Sequence, residues 1–86
     1  MQHTLEGNKA RAVLLDGEPL DPKPSQAIMN HSPDGFNWGY GGSGPAQLAM
    51  AILLRLTGTI VGYQDFKWNV IAKIPQGEPF SITFEL

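Results

Sequence analysis

"NWGYGGSGPAQLAMAILLRL", Asn37 to Leu56, decides how this chain is read. Four glycines, a serine and a proline are crowded into its first half, and the second half is almost wholly apolar. Proline is favoured at the first helical position, so the spacing predicts a helix that starts near Pro45, capped by Ser43 or Gly44. Leu48, Ala49, Ile52, Leu53 and Leu56 form its apolar face. Met50, Ala51 and Leu54 leave so little polar face that the helix must be largely buried. Thr57-Gly58 ends it.

Outward from this helix the other elements are short. "ARAVLLDGEPL" reads as a hairpin, with Asp16-Gly17 as its two-residue turn. The prolines of Asp21–Pro24 predict an extended connector. A short strand is expected around Ala27–Asn30, then a turn at "SPDG". In "FNWGY", Phe36, Trp38 and Tyr40 alternate with Asn37 and Gly39, the pattern of a strand. A second helix is expected from Tyr63 to Ile74, with Tyr63, Phe66, Val70, Ile71 and Ile74 at helical spacing. "PFSITFEL" alternates Phe80, Ile82, Phe84 and Leu86 against polar residues, a half-buried strand. Met1–Lys9 reads as a loose or edge segment. The expected fold is α+β: a small antiparallel sheet of hairpin, aromatic strand and C-terminal strand, with two helices on one face, in a single domain over residues 1–86.

Composition narrows the function classes. The chain has no cysteine, which removes disulfides, thiolate metal sites and a cysteine nucleophile. Six basic against eight acidic side chains give a net charge of −2, which disfavours duplex nucleic acid as a partner. The longest apolar stretch, Ala46–Leu56, is too short to span a bilayer and contains Arg55. No signal peptide is visible, so a cytoplasmic location is expected. No cofactor is called for.

The glycine loop allows two readings. The first turn of a helix carries amides without internal partners and a partial positive charge. Gly41, Gly42, Ser43 and Gly44 could therefore cradle an anionic small molecule or nucleotide. Trp38 and Tyr40 would stack on its flat part, and Asn30, His31 and Gln47 would meet polar edges. The other reading is a tight corner that caps a buried helix, with Trp38 and Tyr40 in the core. Catalysis finds weaker support. "GGSGP" departs from the nucleophile elbow G-x-S-x-G at Pro45, and the spacing of Ser43, His31 and Asp34 predicts no relay. His3 and His31 are the only histidines, so no metal site is called. Phe66 and Trp68 cannot share a helix face, so Trp68 is expected at the surface as an interface residue for a protein partner. The alternative is that it packs on the hairpin or on the N-terminal segment. A homodimer through Trp68 or through the edge strands would relieve the small core.

The block "NHSPDGFNWGYGGSGPAQLAMAIL", Asn30–Leu53, resembles the signature of a family of short, uncharacterised proteins of bacteria and their phages. "YQDFKWNVIAKIP" resembles the second helix of the same family. The resemblance implies a fold and the location of a site, and no activity. Its phage association suggests a protein that sequesters a nucleotide-derived defence signal of the host. The net negative charge and exposed aromatics fit instead a protein-binding module that inhibits a host or defence enzyme.

Overall fold

A computed structural model describes residues 1–86. The chain runs β1 (Gln2–Gly7), β2 (Val13–Leu15), β3 (Glu18–Pro19), α1 (Lys23–Ile28), α2 (Ser43–Thr57), α3 (Tyr63–Asn69), a 3-10 turn (Ile71–Lys73) and β4 (Phe80–Glu85). The strands form one antiparallel sheet in the order β3-β2-β1-β4. Leu5, Gly7, Val13, Leu15, Ile82 and Phe84 face the helices, while Gln2, Glu6, Ser81, Thr83 and Glu85 face solvent. The α+β class and the one-sided helical layer expected from the sequence are what the molecule has.

The local signals behave as the chemistry requires. Asp16 and Gly17 both take positive φ (52° and 81°), the geometry of a type I′ hairpin turn. Helix α2 ends on Gly58 in the left-handed region, whose amide donates to Leu54. Residues Leu48, Ala49, Met50 and Ile52 of α2 are fully buried, and the core of 15 residues is built around that helix.

Several expectations are corrected. Met1–Lys9 is no loose segment: β1 lies in the middle of the sheet, bonded to β2 on one side and β4 on the other. Its inward face carries little apolar signal, because Gly7 replaces a side chain there. Gly7 leaves room for the indole of Trp38 and the ring of Phe80. Phe36–Tyr40 forms no strand. Gly39 takes φ 84° and donates its amide to Ile71, and its Cα presses on the backbone of Ile74–Gln76. Phe36 and Trp38 still point inward, so the alternation identified the buried side and not the strand.

The proline-rich connector and the Ala27–Asn30 strand are replaced by α1. Prolines are tolerated in a first helical turn, where no internal acceptor is lost. Asp21 accepts the Lys23 amide at that end. The helix expected over Tyr63–Ile74 stops at Asn69. Val70 leaves helical geometry (φ −123°, ψ −60°), and the following 3-10 turn directs the Ile71 carbonyl to Gly39. Three helices therefore stand where two were expected.

Candidate functional site

The glycine loop enters α2 one residue earlier than the sequence suggests. Gly42 is the cap, and its carbonyl accepts the amide of Ala46 at 3.1 Å. No side chain caps the helix. The amides of Gly41, Gly42, Ser43 and Gly44 have no acceptor within the chain, and for Ser43 and Gly44 the first turn of a helix dictates this. The Ser43 residue is exposed and its hydroxyl makes no bond.

Aromatic rings cover this loop. The six-membered ring of Trp68 occupies the space a Cβ on Gly41 would need, and the ring of Tyr40 does the same at Gly42. Gly44 packs on Asn37. These glycines are small because their own chain lies on them. The ammonium of Lys67, in a residue only 6% exposed, donates to the Gly41 carbonyl at 3.1 Å and stands 4.5 Å from the Trp68 ring centroid. No carboxylate pairs with it. Lys67 escapes a sequence reading because a lysine between Phe66 and Trp68 looks like a solvated position. Trp68 itself is 56% exposed, so it is at the surface as expected and is held there by contacts on its inner side.

The remaining candidates do not converge on the loop. Trp38 is 1% exposed, donates its indole N–H to the Glu78 carbonyl and meets Phe80 edge-on, so it belongs to the core and cannot stack on a ligand. Gln47 is fully buried and all its hydrogen-bonding capacity is taken up. Its oxygen accepts the amides of His31 (2.8 Å) and Ser32 (3.0 Å), and its nitrogen donates to the Ser25 hydroxyl (2.9 Å) and the Met29 carbonyl (3.2 Å). It holds the chain segment before the loop and cannot meet a ligand's polar edge. Asn30 is exposed, and its side chain bonds to nothing. The His31 ring pairs with the Tyr63 hydroxyl at 3.2 Å, away from Ser43 and Asp34. The other histidine, His3, stacks on Phe84 and bonds the carboxylate of Asp16 at 2.7 Å. That bond, with a second from the Thr4 amide, holds the Asp16 carboxyl below its usual value.

The fold is thus a two-layer α+β domain with a glycine corner roofed by aromatic side chains. The chain belongs to a family of unknown function (DUF6166), whose family model matches residues 3–85. Neither a curated protein nor a solved structure matches the chain. No helix is long and apolar enough to cross a membrane.

Proposed function

We propose that this protein is a protein-interaction module that presents Trp68, on its glycine platform, to a partner protein. One observation carries the reading: a tryptophan more than half exposed lays the inner side of its ring on Gly41, with the Lys67 ammonium 4.5 Å from the ring centroid. Tryptophan is among the residue types most enriched at binding hot spots, and a ring that already rests on its own chain loses less side-chain freedom on binding than one free in solvent. The glycines then serve as the seat of the anchor. Affinity purification from the native host tests this with wild type, Trp68→Ala and, as a control on the opposite face of the sheet, Leu14→Ala. One stoichiometric protein should be lost with Trp68→Ala and kept with Leu14→Ala. A partner that Trp68→Ala retains, or no partner for wild type, refutes the reading. The net negative charge and the exposed aromatic fit an inhibitor of a host or defence enzyme.

A second reading is favoured by the unpartnered amides of Gly41–Gly44: a small anionic ligand, such as a nucleotide-derived signal, held after Trp68 moves aside. A rise in melting temperature with nucleotides or inorganic phosphate, abolished by Gly42→Val with the fold retained, supports it.

A further inference from the structure

The two edges of the sheet are treated differently. On one side β3 is two residues long and ends in Pro19, a protected edge. On the other, β4 is six residues long, pairs with β1 without a bulge, and contains neither proline nor lysine. Every backbone bond of β4 goes to β1, so its outer side is open.

Register fixes which groups are open. Met1 and Leu86 exchange both backbone bonds, and bonded and non-bonded pairs alternate along an antiparallel ladder. Phe80, Ile82, Phe84 and Leu86 therefore bond to β1. Ser81, Thr83 and Glu85 direct their N–H and C=O groups away from the sheet. These three residues are symmetric about Thr83.

We propose that β4 is an interface for a second copy of this chain, paired antiparallel about a two-fold axis at Thr83. In that register Thr83 faces its own copy and Ser81 faces Glu85 of the other, so every open group of the edge finds a partner. Ile82 falls opposite Phe84, an apolar pair on the helical side. The strand is its own complement, as an isologous interface requires. Along the strand itself no like charges meet, since Glu85 lies opposite Ser81.

The inner side of this edge gives an independent reason. Phe80 and Ile82 face the core but are only half-buried, while Leu5, Val13 and Leu15 on the neighbouring strands are at most 3% exposed. Beside them Val70, Ile74 and Pro75 line a groove against Ile82 and Phe84, with Asn69, Lys73 and Glu85 at its polar margin. The two-fold axis sets the helical layers of both copies on the same side of a continuous sheet, so groove meets groove across the seam. The strand pairing does not involve Trp68 and stands whichever partner Trp68 has.

Native mass spectrometry and sedimentation test it. Thr83 points to solvent within one copy, so Thr83→Lys and Thr83→Glu leave the fold intact, which circular dichroism checks. Wild type should be dimeric. Each variant alone should be monomeric, because two like charges then face each other at the axis. An equimolar mixture of the two should recover a lysine–glutamate heterodimer. Thr4→Lys, on the same face of the adjacent strand, and Trp68→Ala should stay dimeric. A monomeric wild type at the highest soluble concentration, a dimeric Thr83→Lys, or a mixture that stays monomeric overturns the proposal.

Discussion

The carboxamide of Gln47 and the hydroxyl of Ser25, 22 residues apart in the chain and both fully buried, are joined by a 2.9 Å hydrogen bond. The same carboxamide accepts the amides of His31 and Ser32, and the Ser25 hydroxyl in turn donates a hydrogen bond to the Pro22 carbonyl. This polar knot fastens α1 and the turn after it to α2. Four bonds converge on one side chain, so removing it strands several buried groups at once. Gln47→Leu should cost on the order of 3 kcal/mol, because unpaired buried polar groups are expensive. Urea denaturation checks this. Limited proteolysis should find new cleavage between Met29 and Pro33.

The glycines of the loop divide into two kinds. At Gly39 a Cβ would collide with backbone, and φ is 84°. Gly39→Ala should therefore lose about 2–3 kcal/mol or fail to fold. At Gly41 the obstacle is the far end of the exposed Trp68 side chain, which can move. Gly41→Ala should keep stability within about 1 kcal/mol and shift the tryptophan fluorescence. Equal losses at the two positions would contradict this division.

The two tryptophans should behave in opposite ways. Trp38→Phe leaves the Glu78 carbonyl without its donor and opens space in the core, at a cost of roughly 2–3 kcal/mol. Trp68→Ala removes a side chain that is more than half exposed and should cost under about 1 kcal/mol. Thermal unfolding of both variants measures the contrast.

Asp16 sets an acid dependence. His3 and the Thr4 amide bond its carboxylate and lower its pKa, so the folded state holds the charged form more strongly than the unfolded chain does. The sign follows from linkage: this stabilisation is complete above the ordinary carboxylate range and is lost as pH falls through the lowered folded value. Asp16→Asn tolerates the same positive φ and removes only the charge. Wild type should melt above the variant at neutral pH, and the two curves should converge in acid. A gap that stays constant with pH would assign the effect to something other than this charge.

Much of the architecture lies in local chemistry and was legible residue by residue. Asp16-Gly17 specifies its turn because only certain residues accept positive φ twice in succession. The run from Pro45 to Leu56 specifies a buried helix, and the alternation from Phe80 to Leu86 a half-buried strand. Trp68 is exposed because Phe66, two positions before it, takes the buried face. Tertiary structure alone decided the rest. β1 is central through pairing with a strand at the far end of the chain, and its inner face carries His3, Leu5 and Gly7, of which only Leu5 is a large apolar side chain. Trp38 and Gln47 looked available to a ligand, yet their partners, Glu78, Ser25 and the turn at His31, are distant in sequence. Long-range hydrogen bonds leave no periodicity behind, so whether a polar side chain faces a ligand or a buried backbone group is settled only when the chain closes on itself.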